Sequence, residues 1–284
     1  MRISYCTWGM KNVSIDELVP AVAAMGYHGI ELAVTPGWPT ELATLDVAKR
    51  KQISQLVDDH GLVISAVAGH TAICEIDPEA NEPAMQQLRD TIDLAAELRQ
   101  EGEPPIVASL LGGHEDDWGK VKNLVAERVR VLGEYAATKD VIFAVEPHSG
   151  MSFDLPRKAL WLMEQVDHPN VRLNFDISHF DIRGIPIDEC VPQMVPWSAH
   201  THVKDQCGIY PNHDFLTPGS GPFDMVHYVK AMYDAGYDGW IGMEVSVRVQ
   251  RRAGYDPFVD ANLGYYALVH ACNAAGVPLA PRPA

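Results

Sequence analysis

The chain has 284 residues, of which 47% are hydrophobic and 21% are charged, and this composition excludes disordered and fibrous proteins. Its length suits one large domain or two ordinary ones. Twenty-two Lys and Arg residues stand against 38 Asp and Glu residues, and the resulting net charge of −16 argues against nucleic acid or an anionic membrane as a partner.

The cysteines and the N-terminal segment bear on the cellular setting. The five cysteines are widely spaced and form no CxxC pair, which indicates free thiols in a reducing compartment. The N-terminal segment has no apolar stretch typical of a signal peptide, and no run reaches the roughly 18 apolar residues that a membrane span needs. We therefore expect a cytoplasmic protein with no membrane partner.

Short β-branched apolar runs alternate along the chain with longer amphipathic segments. The runs predict strands over 3–6, 29–33, 63–68, 106–110, 141–145, 171–175, 199–203 and 239–244. The segments between them predict helices over 15–26 (capped by Ser14), 47–61 (capped by Asp46), 83–99, 118–138, 156–166, 186–197, 222–235 and 257–275.

Eight β–α units in a chain of this length predict an α/β fold, a (β/α)₈ TIM barrel that forms a single domain over residues 1–284. A doubly wound open sheet is the alternative. Such a sheet would carry a glycine-rich phosphate turn after its first strand, and the segment TWGMKN found there is not one.

Ionisable side chains gather at the carboxyl ends of the predicted strands, where TIM barrels carry their active sites. Four of them lie at the ends of four consecutive strands: Glu146, Asp176, His202 and Glu244. Each alone could be a cap or an ion-pair partner, but three converging carboxylates repel one another unless a cation lies between them. Three oxygen ligands and one imidazole predict one divalent metal, Mn²⁺ foremost, with Mg²⁺, Co²⁺ or Zn²⁺ as alternatives.

Other polar or aromatic residues at this end have two interpretations each. His148 can be a general base separate from the metal, or a loop histidine held by a backbone hydrogen bond. Lys204 can bind an oxyanion or phosphate of the substrate, or pair with Asp205. The ring of Trp8 can stack on a sugar or simply pack. Strand alternation places His200 on the same side as His202, so His200 is a second candidate ligand or a packing residue.

The motifs around these residues resemble the sugar phosphate isomerase/epimerase superfamily, the xylose isomerase-like and AP endonuclease family 2-like barrels. The resemblance covers nearly the whole chain, and its motifs are WG, GYHGIEL, VEP, FDISH, HTHVKD, GSGPFD and GYDGWIGMEV. It implies a single divalent ion held by Glu146, Asp176, His202 and Glu244. It also implies that His179, in the D-x-x-H motif, contacts the substrate.

The sequence departs from two branches of that superfamily. Ketose 3-epimerases carry a further Glu shortly after the strand-five Glu and an Arg beyond the strand-seven His, where this chain reads PHSGMS and KDQCG. AP endonucleases bind three metals through many histidines, and only His70 and His114 resemble that larger cluster. The first departure argues against ketose 3-epimerase activity, and the second, with the charge of −16, argues against DNA repair. His114 is also a candidate substrate contact.

We therefore predict a metal-dependent isomerase or epimerase acting on a small sugar, keto-sugar or sugar phosphate. Glu146 and Glu244 would act as paired acid and base through a metal-stabilised cis-enediolate. The alternative is a metal-dependent lyase on a 3-oxo-sugar or keto-cyclitol, of the dehydratase or C-glycoside-cleaving type, with His148 as its base. A third possibility is an accessory barrel subunit of a hetero-oligomer, and a homo-oligomer is compatible with each of these.

Overall fold

A computed structural model describes residues 1–102 and 104–281 of the chain. Seven strands come first: β1 (Arg2–Cys6), β2 (Gly29–Ala33), β3 (Val63–Ala68), β4 (Ile106–Leu110), β5 (Ile142–Glu146), β6 (Val171–Asp176) and β7 (Ser198–Val203). The hairpin β8 (Asp205–Ile209) and β9 (Asn212–Leu216) and a last strand, β10 (Trp240–Met243), follow. Strands β1–β7 and β10 form a closed parallel barrel in the order β1-β10-β7-β6-β5-β4-β3-β2, which confirms the predicted single TIM-barrel domain.

Helices connect the barrel strands. They are α1 (Ile15–Met25), α2 (Val47–Asp59), α3 (Pro78–Glu97), α4 (Trp118–Thr138), α5 (Pro156–Val166), α6 (Ser178–Asp181), α7 (Ile187–Met194), α8 (Met225–Asp234), α9 (Val247–Gln250) and α10 (Pro257–Ala275). Short 3₁₀ turns occupy Thr7–Met10, Leu42–Thr44, Glu115–Asp117 and Val195–Trp197. Within the part of the chain described, no helix has the length and apolar character that a membrane crossing requires.

The strands are apolar because both of their faces are buried. All five residues of β2 are buried, and one hydrophobic core cluster extends from the barrel to the inner faces of the helices. In a parallel barrel, helices cover the outer face of the strands and side chains fill the interior. The strands therefore carry continuous apolar runs, and the sequence shows this pattern. A charged residue in such a strand therefore needs a buried partner.

The predicted helix starts differ from the structure in detail, and α8, for example, begins at Met225 rather than at residue 222. The Asp46 carboxylate caps α2 by accepting a hydrogen bond from the Lys49 amide at 2.8 Å, but the Ser14 side chain makes no capping hydrogen bond to α1. Helix α3 begins at Pro78 rather than at residue 83, and Asp77 accepts from the Glu79 amide. Proline favours the first helical position, and the pair formed by Asp77 and Pro78 is a stronger start signal than a proline alone.

The hairpin β8–β9 was not predicted. It follows β7 and pairs antiparallel from Asp205–Leu216 to Ile209–Asn212, with Tyr210 and Pro211 at the turn. Its position after a barrel strand puts it at the carboxyl end of the barrel, which is the end that carries the ionisable residues.

A close approach of β2 to β3 gives a test of the barrel packing. A Cβ atom at Gly29 would lie 2.3 Å from the Val63 carbonyl oxygen, and this backbone has little freedom to move in a closed barrel. We expect Gly29→Ala to lower the free energy of unfolding by about 1–3 kcal/mol in urea titrations. The control is Gly119→Ala in the first turn of α4, where a Cβ would contact nothing within 4 Å. It should raise stability by about 0.5–1 kcal/mol, and equal effects of the two changes would contradict this prediction.

Candidate functional site

The four predicted metal ligands meet at the carboxyl end of the barrel. Glu146 ends β5, Asp176 ends β6, His202 lies in β7 and Glu244 follows β10. One ligand atom from each of them lies within 4.8 Å of those of the other three. The Asp176 and His202 side chains are fully buried, whereas 13% of the Glu244 side chain is exposed. This arrangement is compact enough for all four to bind one cation.

Strand register explains why the four converge. Asp176 of β6 is paired in register with His202 of β7, and His202 is in turn paired with Gly242 of β10, two residues before Glu244. Because all barrel strands are parallel, their carboxyl ends share one rim, and residues distant in sequence become neighbours there.

Lys204 is the buried cation of the cluster. Its ammonium group donates hydrogen bonds to the carboxylates of Asp176 and Glu244, and 3% of its side chain is exposed. Burial opposes ionisation of both carboxylates, but the Lys204 charge outweighs it and lowers the pKa of Asp176 and of Glu244. Together with Glu146, and with His202 as the neutral imidazole that a metal ligand must be, the cluster has a formal charge of 1 − 3 = −2, which a divalent cation would balance.

The orientation of His202 is set by Glu31. His202 Nε2 lies 2.7 Å from Glu31 Oε2, and the Cys6 thiol donates a hydrogen bond to Glu31 Oε1 at 2.8 Å. His202 Nδ1 instead faces Glu146 Oε2 at 3.4 Å and Glu244 Oε2 at 3.2 Å. A metal-binding histidine commonly donates its second ring N–H to a carboxylate, and these residues therefore fit a metal held at Nδ1.

Sequence reasoning assigned no role to Glu31, which lies within β2. Burial opposes its ionisation, and the charge and hydrogen bond of His202 outweigh burial and lower the pKa of Glu31 to about 2. A glutamate in the otherwise apolar run GIELA was the available signal, because a buried carboxylate requires a partner.

The role of Glu31 can be tested through metal affinity. We expect Glu31→Gln to weaken Mn²⁺ binding by about 10–100-fold, since the carboxylate no longer fixes the His202 ring and its proton. Calorimetric titration measures the affinity, and circular dichroism checks the fold. The exposed Glu127→Gln on α4 is the matched control. An unchanged affinity in a folded Glu31 variant would show that this carboxylate does not support a metal ligand.

The rings of His148 and His179 lie beside the cluster, with their centroids 3.9 Å apart. His179 Nδ1 is 2.9 Å from Ser149 Oγ, while His179 Nε2 lies 3.3 Å from Asp176 and 3.5 Å from Glu146. Among the described residues, this buried Nε2 has no hydrogen-bond partner. A buried polar atom that faces two carboxylates without a hydrogen bond fits a group bound between them.

His148 has the properties of a neutral base. Its Nδ1 lies 2.9 Å from the Ser149 carbonyl oxygen, so Nδ1 carries the proton and Nε2 is the basic nitrogen. Burial, followed by the charge of His179, lowers the pKa of His148 to about 3. The ring is therefore neutral at pH 7 with Nε2 as an acceptor, although the lowered pKa makes it a weaker base than an ordinary histidine.

A cavity of about 390 Å³, here called the inner cavity, opens onto the cluster. Its lining includes the predicted site residues Trp8, Glu146, His148, His179, Lys204 and Glu244. The hairpin contributes Tyr210, His213 and Phe215, which sequence reasoning missed together with the hairpin. A concave pocket with convergent polar groups is the expected form of a small-molecule site.

The structure does not bring His114 to this cavity. Its side chain is 65% exposed and lies beside Asp116. Strand β4 ends at Leu110, and the positive φ angles of Gly112 (77°) and Gly113 (75°) turn the chain before it reaches His114. His200 is buried below the cluster, where it contacts Asn174 and Ser65, and burial lowers its pKa to about 4.

Comparisons with known proteins agree with this architecture. The family model described as xylose isomerase-like TIM barrel matches residues 19–259. The 3-dehydroshikimate dehydratase of Bacillus anthracis is 24% identical over 210 residues, which cover 72% of each chain.

Two solved structures show the same fold. D-psicose 3-epimerase of Clostridium cellulolyticum, with D-tagatose, has a TM-score of 0.79 at 18% identity. The match covers 97% of this chain and 99% of the epimerase chain. A xylose isomerase-like TIM barrel protein of Mycobacterium smegmatis, in complex with magnesium, has a TM-score of 0.71 at 21% identity and covers 96% and 97%.

The family match covers most of the chain and includes the four clustered residues. The proteins that resemble this chain include epimerases and dehydratases, so the superfamily is one of enzymes. The closed barrel, its carboxyl-end cluster and the match over residues 19–259 lead to one conclusion: this chain belongs to the xylose isomerase-like TIM barrel family.

Proposed function

We propose that this protein is a divalent-metal-dependent isomerase or epimerase that acts on a small sugar or keto-sugar. The observation that carries the proposal is the pair Glu146 and Glu244, two carboxylates from different strands that line one cavity and share the same candidate metal position. A paired acid and base on one substrate is what proton transfer between sugar carbons requires.

The metal would be held by Glu146, Asp176, His202 and Glu244. When bound, a divalent ion, of which Mn²⁺ suits these donors best, supplies Lewis acidity toward a sugar carbonyl and its neighbouring hydroxyl. The inner cavity and the ring of Trp8 hold the sugar against the two glutamates.

Both glutamates are ionised and can accept a proton. Burial opposes this, but His179 and His202 lower the pKa of Glu146, and Lys204 lowers that of Glu244. One carboxylate takes a proton from carbon and the other returns one. Return to the opposite face of the same carbon is epimerisation, and return to the neighbouring carbon is isomerisation.

Lyase activity on a 3-oxo-sugar or keto-cyclitol is the second candidate, and His148 is the observation that favours it. This neutral base lies on the cavity wall beside Glu146 without belonging to the four-residue cluster. It could take the proton whose removal leads to loss of a β-substituent. The resemblance to a dehydratase supports this candidate.

Proton exchange with solvent tests the proposal. The protein is incubated in D₂O with Mn²⁺ and a panel of ketoses, aldoses and 3-oxo-sugars, and NMR follows deuterium at carbons next to the carbonyl. We expect incorporation that EDTA suppresses. An enone or a released aglycone without such incorporation would support the lyase instead. If no member of the panel shows deuterium incorporation or product release, the result would argue for an accessory subunit.

A further inference from the structure

A second cavity, here called the outer cavity, adjoins the inner one. Its volume is about 700 Å³, and it lies between the segment that follows β1 and the segment that follows β10. Trp8 and Val247 line both cavities, so a ligand can extend from one into the other. The inner cavity is the smaller of the two. The outer cavity therefore has room for a part of the substrate that does not react.

The outer cavity is cationic although the chain has a net charge of −16. Its lining contains Lys11, Arg251 and Arg252, and no residue that the structure places in this lining is acidic. Such a concentration of one sign against the overall charge attracts anions locally.

The cations of this region divide into two kinds. Arg252 pairs with Asp214 at 2.6 Å, and Arg248 donates to the His213 carbonyl oxygen at 2.7 Å, so both are engaged with the hairpin. Lys11 and Arg251 form no ion pair within residues 1–102 and 104–281, and the Lys11 ammonium lies 4.5 Å from the Trp38 ring centroid. These two charges are available to a ligand.

Lys204, the buried cation of the inner cavity, is not available in this way because Asp176 and Glu244 hold its ammonium group. In TIM barrels, the loops after the seventh and eighth barrel strands commonly bind phosphate groups, and the loop after the eighth barrel strand, β10, lines the outer cavity.

We propose that the outer cavity binds an oxyanion, a phosphate or a carboxylate, carried by the substrate at the end remote from the reacting carbons. Lys11 and Arg251 would bind it. The substrate class is then an anionic sugar derivative, an assignment that rests on the proposed function because it takes the reacting carbons to lie at Glu146 and Glu244.

Inorganic phosphate is the first probe, titrated calorimetrically in the presence of EDTA so that it cannot bind through a metal. We expect the variant Lys11→Met/Arg251→Gln to bind phosphate at least about 10-fold more weakly than the natural protein, since charge-assisted hydrogen bonds are lost. The matched control is Lys51→Met/Arg157→Gln, which removes the same charge from exposed positions outside both cavities and should bind within about twofold.

A second arm replaces phosphate with D-glucuronate and distinguishes a carboxylate ligand from a phosphate ligand. The oxyanion site is supported if the natural protein prefers one of the two probes and the Lys11/Arg251 variant loses this binding. Three results would overturn the oxyanion site: equal weakening of binding in the control variant, equal affinity in all three proteins, or no binding of either probe. The titration needs neither metal nor turnover, so failure of D₂O exchange would contradict the proposed function and leave this result standing.

Discussion

Joint replacement of Glu146 and Glu244 by Gln should reduce exchange of substrate protons with solvent by at least about 10²–10⁴-fold. Glutamine keeps the size of each side chain and an oxygen that can bind a cation, but it cannot accept a proton from carbon. Deuterium incorporation in D₂O with Mn²⁺ measures the loss. A parallel Mn²⁺ titration separates weaker metal binding from loss of the base.

The single variants and a distant control sharpen this result. If one glutamate removes the proton and the other returns it, each single variant should exchange slowly. The double variant should then show a smaller fold loss of rate than the product of the two single losses. Glu127→Gln on the exposed face of α4 should exchange at the natural rate. Full activity of the double variant would refute the assignment of these residues as acid and base.

The second large effect concerns stability. Lys204→Met should lower the free energy of unfolding in EDTA by about 3–5 kcal/mol, because it leaves Asp176 and Glu244 buried without their cation. Added Mn²⁺ should recover part of this loss, since a cation between the carboxylates replaces the missing charge and binds the folded state alone. Urea unfolding with and without Mn²⁺ measures both quantities.

Another buried pair provides the matched control for this experiment. Lys158 contacts Asp154 at 2.6 Å with 8% and 2% of the side chains exposed, in the loop after β5 and the start of α5. Lys158→Met should also destabilise the protein, but Mn²⁺ should not reduce the difference from the natural protein. Equal responses of the two variants to Mn²⁺ would contradict a metal position beside Lys204.

The barrel could be predicted because its signals are local. Each strand is a short apolar run whose residues are buried on both faces, and the predicted bounds of β2, β3 and β4 coincide with the structure. The rule that parallel strands present their carboxyl ends on one rim then places Glu146, Asp176, His202 and Glu244 together without knowledge of side-chain positions.

The parts that could not be predicted depend on contacts across the barrel or on the paths of loops. The pair Glu31 and His202 joins β2 to β7, which are not neighbours in the sheet, and the two residues are 171 positions apart. The hairpin β8–β9 is short and partly exposed, so it lacks the apolar run that identified the other strands. Its turn at Tyr210, Pro211 and Asn212 contains a proline, which signals a turn but does not by itself identify the strands on either side.

The stacking of Trp8 on Trp38 has a practical consequence. Their ring centroids are 4.0 Å apart with an angle of 16° between the planes, and both indoles are partly exposed. Because Trp8 stands at the junction of the two cavities, occupancy of either one changes the polarity around an indole. The intrinsic fluorescence of the protein is therefore an optical reporter of ligand entry that needs no label, dye or knowledge of the product.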